Sequence, residues 1–394
     1  MKDYLDSLKS ILHGAGIMFI LGMIGYILQF FFKLLAARYF GPSDYGLFEL
    51  MNTFLGVLLI ISTLGIMEGI TRYVAYYQAQ KNLLKLKGYV KFIFIVQLSM
   101  AVVLMLIIII SAPRITEYFS FGPEFTNLLY IVAFIVPFRI LGTSIARIFV
   151  ARKKVLQGTI SYHVVENIIL LVGMLYIIHQ NLSLYAAVIL LAVSIIATAI
   201  INVILLGLIR PINFTGKSKY AFSEWIKFSL PLLFTGVIAY LLKWTDNLVI
   251  AKFLTLEHLG LYSIAYSLSV YIFFVPGLLS TMFTPVLSEL IAKNSSMTKE
   301  VFTQVRNIGT LTSIFFGLPL IVFSSEILGF LFGSEFISGG LSLAILSAFF
   351  ILSVYFSISK VVLLVKKKTN FLFYNTILFA SINLVLNVFF VKMW

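Results

Sequence analysis

The sequence contains no cysteine, which excludes disulfide bonds and thiolate metal sites. Histidine is also scarce, and its spacing does not match that of metal ligands; the four positions are His13, His163, His179 and His258. These absences exclude a disulfide-stabilised scaffold and argue against a zinc or redox enzyme. We therefore expect neither a bound metal nor a cofactor.

Charged residues are also scarce. They make up 11% of the 394 residues, whereas about a quarter of the residues in a soluble domain are charged. Apolar runs long enough to cross a hydrocarbon core of about 30 Å recur along the whole chain, and no stretch of domain size remains for a catalytic module outside the membrane. We predict an all-α integral membrane protein of the cell membrane. Its eleven predicted spans are 14–37, 47–76, 92–112, 127–150, 157–178, 183–209, 228–251, 260–288, 307–331, 338–365 and 371–391.

The formal net charge is +14, but the basic residues are scattered in short runs between apolar segments. Nucleic-acid binding requires them on one face or tail, so we expect membrane lipids and no nucleic acid as partners. With the N-terminus in the cytoplasm, 18 of the 29 lysines and arginines fall in cytoplasmic segments, four in external segments and seven within spans. The positive-inside rule therefore predicts a cytoplasmic N-terminus and, after eleven spans, an external C-terminus.

The chain also repeats itself. A shift of 214 residues aligns Ala-Arg-Tyr-Phe at 37–40 with Ala-Lys-Phe-Leu at 251–254, and Gly-Leu-Phe at 46–48 with Gly-Leu-Tyr at 260–262. A shift of 211 aligns Phe-Gly-Pro-Glu-Phe at 121–125 with Phe-Gly-Ser-Glu-Phe at 332–336. Both halves begin on the same side, which predicts two parallel-repeat helical bundles.

The repeat also sets the predicted domain boundaries. We assign an N-terminal six-helix bundle to 1–209, a cytoplasmic linker to 210–223 and a C-terminal bundle of five helices to 224–394. The second half lacks a counterpart of the sixth span. We expect a truncated version of a twelve-helix pattern, and a natural chain of eleven spans is the alternative.

The segment Ala-Arg-Tyr-Phe-Gly-Pro-Ser-Asp-Tyr-Gly-Leu-Phe-Glu at 37–49 follows the first span. With Phe-Ser-Leu-Pro-Leu at 228–232 and Lys-Trp-Thr-Asp-Asn at 243–247, it resembles Wzx-type polysaccharide flippases of the MOP superfamily, which also contains the MATE exporters. The resemblance implies two bundles around a central cleft with alternating access. It implies a substrate made of an oligosaccharide on a polyprenyl (di)phosphate, moved from the cytoplasmic to the outer leaflet, and polysaccharide assembly enzymes as partners.

Charges inside membrane spans are costly and normally face protein, water or a ligand. Arg139 is the deepest, midway along the span 127–150, and guanidinium groups suit phosphate because they present a planar fork of donors. The predicted phosphate-binding residues are Arg139, Arg147, Lys33, Arg72, Lys243 and Lys360. The predicted residues for ion coupling or ion pairing are Glu68, Glu166 and Asp246.

Internal pairing is the alternative for these charges. Glu68 and Arg72 are four residues apart and can meet on one helical face, and Lys243 and Asp246 are three apart. Glu166 can act as a proton or cation relay, or it can pair with one of the two arginines of the fourth span. Arg147 and Lys360 lie near cytoplasmic ends of spans, where long side chains snorkel to the interface.

Two other functions remain open. A multidrug exporter of the MATE type would need a largely apolar cleft with a few acids, but the cations in the spans outnumber the acids. A membrane glycosyltransferase or polymerase would need a sizeable external loop with catalytic carboxylates, and no predicted external loop is long enough. The sequence therefore favours a carrier over an enzyme.

Overall fold

The computed structural model describes residues 2–209, 216–277, 279, 283, 287, 297–365 and 369–393, whose regular structure is helical. The helices are α1 Lys2–Thr63, α2 Ile66–Gly69, α3 Ala75–Ala79, α4 Leu83–Phe119, α5 Pro123–Ala151, α6 Val155–Ile160, α7 Glu166–His179, α8 Leu184–Ile209, α9 Phe222–Phe253, α10 Leu256–Val270, α11 Met297–Val322, α12 Ser324–Phe332, α13 Gly340–Val365 and α14 Thr369–Met393. The predicted all-α class is confirmed.

Four short turns connect some of these helices directly. Two are π-helical: Ile70–Val74 joins α2 to α3, and Ser161–Val165 joins α6 to α7. Two are 3₁₀ turns, Tyr271–Phe273 after α10 and Ser334–Gly339 after α12. A π turn holds one residue more than an α turn, so it rotates the following side chains relative to regular helical spacing.

Eight helical stretches of the described residues are long and apolar enough to cross a membrane. One of them, Gly16–Thr63, contains 48 residues. At 1.5 Å per residue it is about 72 Å long, more than twice the hydrocarbon thickness of about 30 Å. Helices α9 and α14, of 32 and 25 residues, overlap two further predicted spans. The protein is a multi-pass membrane protein, and the count of eleven spans stays a prediction.

Helix α1 covers the first predicted span and the first part of the second, and it is interrupted where the two were expected to separate. Gly41 has φ 73° and ψ 174°, a conformation that a residue with a Cβ rarely adopts, and Pro42 follows it. Proline lacks the N–H that would continue the helical hydrogen bonds. The dipeptide therefore breaks the helix between 14–37 and 47–76.

The chain forms two compact units. The first contains Met1–Ala36 and Leu50–Leu241, and the second contains Ala37–Glu49 and Leu242–Trp394. The units thus group residues 37–49 with the second half and residues 222–241 with the first. The boundaries predicted from the repeat, 1–209 and 224–394, differ from this grouping, and they stay a prediction about the repeat.

Helix α5 is the centre of the first unit, where it packs against α4 and α8. Gly142 allows the close approach to α8, because a Cβ there would lie 3.3 Å from the Cα of Ala199. A second core combines aliphatic and aromatic residues, and its aromatic residues come from the π turn after α2, from α3, from α4 and from the start of α9. At its centre Trp225 is fully buried and donates its indole N–H to the Tyr77 hydroxyl at 2.9 Å.

In the second unit, the segment after Gly41 packs against the start of α10 through two glycines. A Cβ on Gly46 would overlap the carbonyl oxygen of Leu256, and a Cβ on Gly260 would overlap that of Pro42. The shift of 214 residues relates Gly46 to Gly260 and Pro42 to Leu256. The contact therefore pairs repeat-equivalent residues reciprocally, as an isologous two-fold interface does.

Candidate functional site

Arg139, which the sequence places midway along its predicted span, is neutralised by an ion pair. Arg139 of α5 donates from Nη1 to the carboxylate of Glu166, the first residue of α7, at 2.6 Å. Their side chains are 12% and 7% exposed. Since a charge-assisted hydrogen bond in a poorly solvated place is strong and a lone charge there is costly, the two residues hold α5 and α7 together. Of the alternatives for Glu166, the structure has the pair with Arg139.

The π turn Ser161–Val165 shapes the surroundings of this pair. It carries Tyr162, over whose ring the Arg139 guanidinium lies at 4.9 Å from the centroid. Ser161 donates to Asn202 of α8 at 2.9 Å, and Asn202 donates to the carbonyl of Gly142 at 3.3 Å. Between these groups lies a cavity of about 10 Å³, which has room for about one water molecule. The Arg139 side chain is therefore held by two contacts, the carboxylate of Glu166 and the ring of Tyr162.

A second ion pair of α5 is exposed to solvent. Arg147 donates from Nη1 to Glu68 at 3.2 Å, and their side chains are 45% and 61% exposed. The alternative pairing of Glu68 with Arg72 is therefore not what the structure has. The π turn that begins at Ile70 rotates Arg72 away from the four-residue register. The Arg72 guanidinium instead lies 4.4 Å from the ring centroid of Phe228.

The structure does not bring the other predicted site residues together. Asp246 of α9 accepts from the Tyr262 hydroxyl and from the Asn387 amide, each at 2.5 Å, and the side chain of Lys243 lies outside the described residues. Lys33 is half-buried on α1, and Lys360 is exposed on α13. The structure thus joins Arg139 with Glu166 and Arg147 with Glu68. A phosphate-binding role for the six cations stays a prediction.

Sequence reasoning missed the polar partners of these charges. Tyr162 lies four residues before Glu166, a spacing that signals one helical face, but a tyrosine in an apolar span is an ordinary residue. Asn387 and Asn383 are likewise four apart on α14, where the first donates to the second at 3.2 Å. Nothing in the sequence links Asn387 to Asp246, which precedes it by 141 positions.

Solved structures of membrane transporters share this fold. A multidrug resistance MATE family transporter of the MOP superfamily, in an inward-facing conformation, has a TM-score of 0.60 at 13% identity and matches 96% of this chain and 88% of its own. A MOP superfamily transporter from Pyrococcus furiosus has a TM-score of 0.54 at 13% identity, with 96% and 95% covered. The chain therefore has the fold of MATE-type transporters.

Sequence comparison is more specific. The sequence model of the family described as "Polysaccharide biosynthesis protein" matches residues 35–339, and the chain belongs to this family. The chain is also 24% identical over 339 residues to the probable low-salt glycan biosynthesis flippase Agl15 of Haloferax volcanii. That alignment covers 84% of this chain and 67% of the relative.

Proposed function

We propose that this protein is a flippase that carries a lipid-linked glycan across the membrane for polysaccharide biosynthesis. The observation that carries the proposal is the family match over residues 35–339. The MATE-type fold supports a carrier over an enzyme, and the relative named as a glycan biosynthesis flippase supports the substrate class.

The finer proposal concerns the substrate and the direction. The cargo is an oligosaccharide on a polyprenyl (di)phosphate, moved from the cytoplasmic to the outer leaflet by alternating access. The excess of lysine and arginine in alternate loops supports a cytoplasmic N-terminus. That orientation places the end of α5 that bears Arg147 on the side where the cargo is loaded.

Two cations at this end of the first unit fit the phosphate of the cargo. Arg147 is four residues from the end of α5, and Arg72 is four residues from the end of the predicted span 47–76, so both lie near predicted cytoplasmic ends. An exposed ion pair contributes only about 0–1 kcal/mol, so a phosphate can displace Glu68. Arg72 is exposed, and its guanidinium carbon lies 4.4 Å from the ring centroid of Phe228, so the charge stays accessible to an anionic ligand. We assign phosphate binding first to these two residues, because Arg139 is already neutralised.

The test is transport in proteoliposomes loaded with a fluorescent polyprenyl-diphosphate oligosaccharide. We expect the wild type to move the label between leaflets, and Arg72→Gln/Arg147→Gln to do so at least about tenfold more slowly, since each charged hydrogen bond contributes about 1.5–3 kcal/mol. Arg114→Gln removes another exposed arginine of the first unit and serves as the control.

The outcomes test the flippase function and the phosphate-binding residues separately. A double variant as fast as the wild type would contradict the phosphate assignment while leaving the flippase in place. A folded wild type that moves no label contradicts the function itself. Equal slowing by Arg114→Gln would mean that overall charge, and not a local site, sets the rate.

A further inference from the structure

The second unit contains a cavity of about 310 Å³, a volume at the lower end of small-ligand pockets. Residues 38–41, from the break in α1, form one wall, and residues 332–335, from the end of α12, form the other. Both walls overlap motifs that the repeat brought out, at 37–40 and 332–336. Neither is used in the proposed contacts with phosphate.

Two glycines give the cavity its form. Gly41 and Gly333 both have positive φ, of 73° and 109°, so each wall turns sharply where a residue with a Cβ would be strained. A Cβ on Gly41 would lie 2.8 Å from Oε2 of Glu335, which means that the carboxylate lies directly against the bare backbone. Arg38 holds the two walls together by donating from Nη2 to the carbonyl of Phe330 at 3.0 Å.

The lining of the cavity contains one positive side chain, Arg38, and one negative side chain, Glu335. Glu335 is exposed and makes no hydrogen bond or ion pair with any residue in the described ranges, and Arg38 uses one of its five N–H donors on the Phe330 carbonyl. The two side chains are not paired with each other. An anion entering the cavity would meet Glu335, and a cation would meet Arg38. A neutral molecule with many hydroxyl groups can instead donate to the carboxylate and accept from the guanidinium.

Apart from Ser334, the remaining lining is aromatic. Tyr39 and Phe40 lie edge to face, with ring centroids 4.9 Å apart, and both line the cavity. Phe332 also lines the cavity, with 3% of its surface exposed. The C–H groups of a pyranose ring form an apolar face that packs on aromatic rings, while its hydroxyls point outward to polar groups. Aromatic surface beside an acceptor and a donor therefore matches a neutral sugar.

We propose that this cavity binds a sugar residue of the glycan, on the outer side of the membrane. The inference rests on the proposed function and on the predicted orientation, in which 38–46 and 332–337 connect spans on the external side. Such a site retains the glycan after it has crossed, while the phosphate is held elsewhere. It gives the carrier selectivity for the sugar at the exit side.

The test is saturation-transfer NMR on the full chain in nanodiscs, which avoid sugar-based detergents. The probes are free glucose, galactose, mannose and N-acetylglucosamine, with inorganic diphosphate as the anionic comparison. We expect at least one sugar to bind, and Glu335→Gln and Arg38→Gln each to weaken it about tenfold, since each removes a charged hydrogen-bond partner. Glu124→Gln, the repeat-equivalent carboxylate at the start of α5, keeps wild-type binding.

Three results would overturn the inference. The first is that no sugar binds, and the second is that a sugar binds but neither Glu335→Gln nor Arg38→Gln changes its affinity. The third is that diphosphate binds without any sugar and binds more tightly to Glu335→Gln. Transport by the same wild-type preparation is measured in parallel. A protein that flips the lipid but binds no sugar contradicts only this site, whereas one that binds sugar through Glu335 and flips nothing contradicts only the proposed function.

Discussion

The buried pair of Arg139 and Glu166 offers a quantitative test of how the first unit is held together. Arg139→Gln leaves the Glu166 carboxylate without its charged partner, in a place where only 7% of that side chain is exposed. Breaking a buried pair from one side costs about 3–5 kcal/mol, because the remaining charge is uncompensated. Loss of the guanidinium over Tyr162 adds about 0.5–2 kcal/mol.

The double variant Arg139→Gln/Glu166→Gln removes both charges and leaves two amides that can hydrogen-bond to each other. We expect it to be destabilised by much less than the sum of the single variants, with a coupling energy of roughly 3 kcal/mol. The chain supplies its own control in Arg147 and Glu68, whose side chains are 45% and 61% exposed. The same cycle on that pair should give a coupling energy below about 1 kcal/mol.

The assay is reversible unfolding in mixed micelles, followed by the fluorescence of the three tryptophans. The free energy of unfolding of the wild type, the single variants and the double variant gives the coupling energy of each pair. If the coupling between Arg139 and Glu166 were as small as that of the exposed pair, the two charges would be separately solvated, and the argument from burial would fail.

Two further predictions concern packing. Gly46→Ala adds a Cβ against the carbonyl of Leu256, so we expect it to lose about 1–3 kcal/mol of unfolding free energy and to have a lower apparent Tm. Gly22→Ala is the control, because the space around its Cβ is open, and we expect it to change the Tm little. Equal Tm values for the two variants would contradict the close contact. Trp225→Phe removes the hydrogen bond to Tyr77 and part of a fully buried ring. We expect it to cost about 2 kcal/mol of unfolding free energy, and a change below about 0.5 kcal/mol would show that the aromatic core adapts.

Hydropathy made the helical class of this fold predictable. Long apolar runs in a membrane must satisfy their own backbone hydrogen bonds, which leaves few alternatives to a helix. The break at Gly41 is also readable, since Gly-Pro is a strong helix terminator. The grouping of residues 37–49 with the second unit was not predictable, because it depends on the contact between Gly46 and Gly260, which are 214 positions apart.

The candidate site was only partly predictable, because its contacts join residues that are far apart in the sequence or that depend on an irregular turn. The cost of intramembrane charge singled out Arg139 and Glu166 one by one, and the structure joins them. The proposed pairing of Glu68 with Arg72 assumed regular helical spacing, and the π turn at 70–74 removed that assumption. A π turn has no clear sequence signal, since it depends on packing as much as on local propensity. The partners of Asp246 lie on α10 and α14, and identifying them required the fold.

Separate transport assays with two cargoes distinguish a glycan flippase from an exporter of cationic drugs. Proteoliposomes receive either the fluorescent polyprenyl-diphosphate oligosaccharide or a lipophilic cationic dye, and a membrane-impermeant quencher reports how much of each label reaches the opposite leaflet or compartment. We expect the wild type to move the lipid-linked glycan faster than protein-free liposomes do and not to move the dye. Transport of the dye alone by folded protein would contradict this expectation.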